Sequence, residues 1–262
     1  MKAIEPIDLK WLPANRAAEA LIRVAKLQEQ GIPCCLGIVV AGGTAEIAAG
    51  TRVVLPLTAD PSDTSPDIRQ LLERAQRLRS APIGQIVLLE LPDARAEIYL
   101  DPVVPPSHAV ILGAGHIGAY TARLAAFAGF EVTVIDDRSE FAHPSRVPDA
   151  HHVLAGPFVD LIADLPSNAR TYWVIATRGH QSDEVCLRAC LRRPGAYIGL
   201  LSSRQKAQRL LDHMEQEGCA PELVRSVRAP IGLPIGSITP EEIAVSIVAQ
   251  LIAVRNERER PE

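Results

Sequence analysis

The pattern of apolar and polar residues changes near the middle of the chain. Up to residue 101, helical and strand-like segments follow one another without a regular order, whereas from residue 108 short apolar runs alternate with helical stretches. Regular alternation of strands and helices is typical of a parallel sheet that carries helices on both faces. The sequence therefore predicts a doubly wound α/β domain that follows a smaller α+β N-terminal domain.

The N-terminal domain is predicted to span residues 1–101. Its elements are expected as helices at 14–30 and 66–79 and as strands at 34–40, at 51–57 and in a hairpin around Pro92 and Asp93. The stretch "DPVVPP" follows at residues 101–106, and its three prolines remove backbone donors and fix φ. We therefore expect it to form neither a helix nor a central strand, and we place a linker at 102–107.

The second domain is predicted to span residues 108–256, ahead of a charged tail at 257–262. Strands are expected at 108–112, 131–135, 152–155, 171–176, 196–200 and 223–227, with helices beginning near His116, Pro157, His180 and Ser203. A last helix opens with "TPEE", in which Thr239 is the expected N-cap and Glu242 completes a capping box.

The segment "GAGHIG" lies between the first strand of this domain and its first helix. In such a turn Gly113 permits the sharp bend, Gly115 lets the backbone approach a phosphate, and Gly118 lets the helix pack closely on the strand. Asp136 ends the following strand, where it is expected to accept a hydrogen bond from a ribose 2′-hydroxyl and to favour NAD over NADP. His116 lies within the turn and can reach a ligand. A turn retained only for packing, without any ligand, is the alternative.

Polar loops follow two further strands of the predicted sheet. Arg178 and His180 follow the strand at 171–176, and Ser203 and Arg204 follow the strand at 196–200. The carboxyl ends of parallel strands meet at one edge, so these side chains are candidates for a single binding site with the glycine turn. Plain helix starts explain the same residues without a ligand. The segment "APIGLPIGSITPEE" either closes over a ligand or serves as a buried connection.

Composition narrows the class of protein. A net charge of −4 without a long basic run argues against a nucleic-acid-binding protein. No run of 18 uncharged apolar residues and no cleavable leader pattern occur, so we expect a cytoplasmic protein that does not enter the membrane. The five cysteines are interpreted as free thiols, with Cys186 and Cys190 in the core, and their spacing predicts no metal site.

Taken in order, several motifs of residues 108–256 resemble the XdhC/CoxI family of accessory proteins for molybdenum hydroxylases such as xanthine dehydrogenase. They are "GAGHIG", "VTVIDDR", "EFAHPSR", "TRGH", "YIGLLSSR" and "APIGLPIGSITPEEIAVSI". The resemblance implies a Rossmann domain beside a family-specific N-terminal domain. It also implies a maturation chaperone, rather than a catalyst, that binds the molybdenum pyranopterin cofactor and hands it to a molybdenum hydroxylase. A homodimer is left open.

The N-terminal domain departs from that family. The family typically has a Gly-Gly-Cys segment there, whereas this chain has no cysteine between Cys35 and Cys186. Two other functions are kept as alternatives. One is an NAD(P)-dependent oxidoreductase with His180 as proton donor, and the other is an interaction module that responds to a bound nucleotide.

Overall fold

The computed structural model describes residues 9–78 and 83–259, and for His180 and residues 257–259 it describes the backbone alone. The described residues form two compact units, the first ending at Pro105 and the second running from Pro106 to Arg258. Each unit has its own sheet.

The first unit is a four-stranded antiparallel sheet with one helix on each face. The strands are β1 (Cys34–Gly42), β2 (Arg52–Pro56), β3 (Gln85–Glu90) and β4 (Arg95–Val103), arranged in the order β2-β1-β4-β3. The helices are α1 (Ala17–Glu29) and α2 (Pro66–Arg77). Successive side chains of β1 lie on opposite faces of the sheet. Cys34 packs in the hydrophobic core that includes α1, and Cys35 packs in the hydrophobic core that includes α2. The expected helices, strands and hairpin are therefore present.

The proline-rich stretch does not behave as the sequence predicted. β4 continues through Pro102 to Val103, and Pro102 pairs with Cys35 of β1 although β4 lies between β1 and β3. The reason is that the β3 register begins with Gln85 opposite Leu100, so among the described residues the last part of β4 pairs with β1 alone. A proline, which has no N–H to donate, is tolerated in such a one-sided strand end.

The second unit is built on five parallel strands. They are β5 (His108–Leu112), β6 (Glu131–Asp136), β7 (His152–Ala155), β8 (Thr171–Ile175) and β9 (Tyr197–Leu200), in the order β7-β6-β5-β8-β9. The direction of strand progression reverses between β5 and β8, which is the position where ligands bind in doubly wound sheets. The structure confirms the predicted fold class, an α/β domain together with a smaller α+β domain.

Helices cover both faces of this sheet. They are α3 (His116–Phe127), α4 (Phe158–Asp164), α5 (His180–Leu191), α6 (Arg204–Gln216), α7 (Pro221–Ser226) and α8 (Pro240–Glu259). α3 and α8 pack with Ala109 and Ile111 on one face, and α4 to α7 pack with Val110 and Leu112 on the other. Both faces are thus buried, as the continuous apolar strands predicted.

The strand expected at 223–227 is wrong, because this segment forms α7. Ala220 is its N-cap and Pro221 takes the first helical position, where the missing N–H of proline costs nothing. A short apolar run such as Leu223-Val224 has no period long enough to separate strand from helix. The sheet instead ends with one parallel bridge between Gly199 and Arg228.

The last helix begins as predicted. The N–H of Glu242 donates to Oγ1 of Thr239 at 3.3 Å, and Oε2 of Glu242 accepts from the N–H of Thr239 at 3.1 Å. This is the reciprocal pair of a capping box. The helix continues to Glu259, so the charged tail expected from residue 257 begins as helix, and 260–262 lie outside the described residues. Within the described chain, no helix has the combined length and apolarity that a bilayer crossing requires.

Gln250 of α8 anchors the connection that precedes this helix. Its Oε1 accepts from the Tyr197 hydroxyl at 2.5 Å and from the Gly232 N–H at 2.9 Å. Gly232 has a φ of +94°, and a Cβ there would lie 2.4 Å from Oγ of Ser246. The segment from residue 229 to residue 239 is therefore attached through Gly232 to Gln250 of α8, and Gln250 in turn contacts Tyr197 of β9.

Replacing Gln250 by alanine should destabilise this unit. The substitution leaves the Tyr197 hydroxyl and the Gly232 N–H without their acceptor, so we expect the free energy of unfolding to fall by about 2 kcal/mol. Urea denaturation measures it, with Gln205→Ala on the exposed face of α6 as the matched control. Equal stability of the two variants would contradict the anchoring role of Gln250.

Candidate cofactor-binding site

The five parallel strands end side by side, and the loops that follow them leave from one edge of the sheet. Hydrogen bonds beyond the strand ends mark this edge: the N–H of Gly113 donates to the Ile135 carbonyl at 2.7 Å, and the N–H of Ala176 donates to the Leu112 carbonyl at 2.8 Å. The N–H of Leu201 donates to the Ile175 carbonyl in the same way. The loops after β5, β6, β8 and β9 thus start next to one another.

Two of the three glycines in the turn are required by the protein itself. Gly113 has a φ of +111°, and a Cβ on it would lie 2.3 Å from the carbonyl oxygen of Ala176. A Cβ on Gly118 would lie 1.9 Å from the Gly113 carbonyl oxygen. Packing alone explains both glycines, because any side chain at either position would collide with backbone.

Gly115 is different. Its φ of −66° and ψ of −176° are accessible to any residue, and a Cβ there would meet no atom within 4 Å. It is the N-cap of α3, and no side chain caps this helix start. The first N–H groups of α3 therefore have no side-chain partner, and the space beside Gly115 is open at the positive end of the helix dipole, which is a favourable place for a phosphate.

The buried carboxylate of Asp136 stabilises the glycine turn through hydrogen bonds. Only 1% of this side chain is exposed. Oδ2 accepts from the N–H of Ala114 at 2.7 Å and from Nη2 of Arg138 at 3.0 Å, and Oδ1 accepts from the N–H and the Nε of Arg138 at 3.0 and 2.9 Å. Each oxygen thus has two donors, and while these bonds persist none is left for a ribose hydroxyl.

These bonds also set the ionisation of Asp136. Burial by itself would raise the pKa of the carboxyl group, but the hydrogen bonds from Arg138 and Ala114 outweigh burial and hold the pKa below its ordinary value. The same contact raises the pKa of Arg138. Asp136 and Arg138 are therefore a fixed ion pair at neutral pH. Arg138 is the residue that sequence reasoning missed, although "DDR" at the strand end contains it.

Hydrogen bonds within the loop after β8 stabilise its conformation. The hydroxyl of Thr177 donates to Oδ1 of Asp183 at 2.5 Å, and the N–H of Asp183 donates to the carbonyl of Gly179. Asp183 is 8% exposed and acts as a residue of the helix start, whereas Arg178 is exposed to solvent. Gly179 is the N-cap of α5 with open space around it. His180 is the first residue of α5, and its side chain lies outside the described residues.

Ser203 and Arg204 begin α6 at the same edge. Ser203 is the N-cap and makes no side-chain capping bond, and both residues are exposed. Since β9 is two strands away from β5, they lie about 10 Å along the edge from the glycine turn. The residues predicted from the sequence therefore share one edge but are spread across it, with the glycine turn near its centre.

His116 is exposed on the first turn of α3. Glu241 has a lowered pKa, caused mainly by a bond from its own backbone N–H and by the hydroxyl of Tyr120, with a smaller contribution from His116. The start of α8 thus lies at the same edge of the parallel sheet, where the long connection from β9 ends.

Three side chains that could bind a metal lie together elsewhere in this unit, on α5 and at the end of α6: Glu184, His213 and Glu217. A cation already lies among them, because Nη2 of Arg188 donates to Glu184 at 2.8 Å and also to Glu217. Glu184 therefore serves an ion pair of the helix surface. The buried thiols of Cys186 and Cys190 are free and belong to the core, as predicted, and burial raises the pKa of both.

The strand order and the turn between β5 and α3 define a doubly wound domain of the Rossmann type. The sequence model of the XdhC Rossmann domain matches residues 109–251, and this chain belongs to that family. The resemblance seen in the motifs is thereby confirmed.

Similar proteins are consistent with this assignment. The uncharacterized protein YqeB of Escherichia coli strain K12 is 34% identical over 148 residues, which is 56% of this chain and 27% of YqeB. A probable xanthine dehydrogenase subunit of Bacillus subtilis strain 168 is 30% identical over 169 residues, which is 64% of this chain and 49% of that protein. The chain thus spans between a quarter and a half of these relatives.

A solved structure shares the fold of both units. The crystal structure of a xanthine dehydrogenase from Bacillus halodurans superposes with a TM-score of 0.55 at 21% identity, and the match covers 92% of this chain and 80% of the other.

Removing the charge of Asp136 should destabilise the turn. Asp136→Asn replaces an acceptor-only group by one that carries its own donors, so we expect the free energy of unfolding to fall by about 2–3 kcal/mol at pH 7. Asp149→Asn is the matched control, because Asp149 is exposed and lies 4.0 Å from Arg123. Such surface pairs contribute less than about 1 kcal/mol.

The pH dependence of this difference follows from the sign of the shift. A carboxyl group whose pKa is lowered on folding stabilises the protein above its unfolded pKa, here near 3.8. The difference between wild type and Asp136→Asn should be constant above about pH 5 and shrink as the pH falls below about 4. A difference that grows on acidification would contradict the ion pair.

Proposed function

We propose that this protein binds the molybdenum pyranopterin cofactor at the edge that carries the glycine turn, and that it delivers the cofactor to a molybdenum hydroxylase of the xanthine dehydrogenase type. The observation that carries the proposal is Gly115. Neither its backbone conformation nor its surroundings require glycine, whereas a ligand that approaches the start of α3 would. Gly113 and Gly118 are needed to form the turn, whereas Gly115 leaves the start of α3 accessible to a ligand.

The residues at this edge fit the phosphate of such a cofactor. The backbone N–H groups at the start of α3 would bind it, with His116 beside them. Further along the edge Arg178, Ser203 and Arg204 offer exposed donors to the polar ring system. The oxygen-transfer chemistry belongs to the cofactor once it is in the hydroxylase. The role of this chain would be to hold the ligand and to keep it shielded.

Carriage suits this edge better than catalysis. A general acid or base needs a titratable group that can exchange a proton with the substrate. The two buried carboxylates of the edge are both engaged, Asp136 by four hydrogen bonds and Asp183 by the Thr177 hydroxyl. Together with the family, this favours an accessory protein over an NAD(P)-dependent oxidoreductase that uses either of these carboxylates as its acid or base.

The link to xanthine dehydrogenase rests on family and relatives. The chain belongs to the XdhC Rossmann domain family, and one relative is named as a probable subunit of xanthine dehydrogenase. Since the chain spans only part of its relatives, the partner is identified here by class: an enzyme that must receive a finished molybdenum cofactor.

Gly115→Ala separates ligand binding from folding. We expect the full chain, purified from a host that makes molybdenum cofactor, to carry a pterin that becomes fluorescent on oxidation. The added methyl group should lower the pterin content at least about tenfold, since loss of close contact with phosphate amounts to about 1.4 kcal/mol or more. The melting temperature should not fall, because the methyl group meets no atom.

Gly218→Ala is the control, at the opposite end of α6 and with a φ of +88°. It should lower stability by about 1 kcal/mol and leave the pterin content unchanged. Wild-type protein without pterin, or Gly115→Ala with full pterin content, would overturn the proposal.

A further inference from the structure

The segment "EFAHPSR" follows β6, and neither the fold nor the proposed cofactor contacts explain it. Within it, Phe141 supports two guanidinium groups. The Arg138 carbon Cζ lies 3.7 Å from the centre of the Phe141 ring, and that of Arg146 lies 4.5 Å from it. Stacking on one aromatic ring holds both cations at the end of β6.

The two arginines differ in charge balance. Arg138 is neutralised by Asp136, and Asp137 adds a second carboxylate 3.8 Å from its Nε. Arg146 is exposed, and the described part of the chain provides neither a hydrogen bond nor an ion pair to its guanidinium. Arg138 still has Nη1 without a hydrogen bond to any described residue. The end of β6 therefore presents the Nη1 of Arg138 and the guanidinium of Arg146 as donors, its buried carboxylate is saturated, and the carboxylates of Asp137 and Glu140 lie close to Arg138.

The position of these donors indicates the ligand. In a doubly wound domain the end of the second strand lies beside the ribose of the bound nucleotide, and an arginine there accommodates a 2′-phosphate. The buried acceptor Asp136 is saturated, so the half-exposed Asp137, 3.8 Å from Nε of Arg138, is the carboxylate left for a ribose diol, and it already lies beside a guanidinium group. A phosphate accepts only, and the two guanidinium groups only donate.

We infer that this edge binds a dinucleotide of the NADP class, that its 2′-phosphate is recognised by Arg146 with Arg138, and that NADP⁺ is preferred to NAD⁺. This inference rests on the phosphate site at the glycine turn that the proposed function also uses. It reverses the preference that Asp136 suggested from the sequence, because that carboxylate faces Arg138 and Ala114 instead of the ligand.

Isothermal titration of the full chain with NADP⁺ and with NAD⁺ tests the inference. We expect NADP⁺ to bind at least about tenfold more tightly, since charge-assisted hydrogen bonds of arginine to phosphate are among the strong ones. Arg146→Gln should remove this preference and leave the affinity for NAD⁺ unchanged. Arg209→Gln, at an exposed arginine of α6, should retain the preference.

The outcomes separate this inference from the proposed function. Equal affinities, tighter binding of NAD⁺, no binding of either dinucleotide, or an equal loss of both affinities in Arg146→Gln would overturn the inference. If one of these outcomes is found but the wild-type protein carries pterin and Gly115→Ala does not, the proposed function stands without the inference. Preference for NADP⁺ in a protein that never carries pterin would support the inference and remove the proposed function.

Discussion

The four hydrogen bonds of the Asp136 carboxylate fix the geometry on which the candidate site depends. They tie the end of β6 to Ala114 in the turn after β5, and they hold Arg138 over the same edge. Gly113 packs against the backbone of Ala176 on the other side, so the turn is held by both neighbouring strands. A turn fixed in this way aims the start of α3 at one place, which is what preorganised binding of an anion needs.

The glycines of the turn show how one motif serves both folding and binding. Gly113 and Gly118 have backbone atoms within 2.3 Å of where a side chain would begin, so the protein needs them whatever it binds. Gly115 has open space and an ordinary conformation. A glycine that the fold does not need is evidence for a ligand, and it is stronger evidence than the spacing of the motif, which packing alone could maintain.

Much of the fold could be predicted because local chemistry decides it. Apolar runs identified the five parallel strands, and Thr239 with Glu242 identified the start of α8. Other features depend on contacts that a linear pattern does not contain. Pro102 is tolerated in a strand because β3 begins only at Gln85, opposite Leu100, and the saturation of Asp136 depends on the conformation of Arg138. The sequence could place Asp136 at the edge, but it could not show which donors the carboxylate faces.

The central claim is that the start of α3 is an open phosphate site centred on Gly115. The most direct test is an NMR titration of the isotope-labelled full chain with inorganic pyrophosphate, which carries the anion and nothing else. The account predicts saturable shifts that are largest for the amides of Gly115, His116 and Ile117 and that are lost in Gly115→Ala. Shifts centred on another surface, or none at these amides, would contradict it.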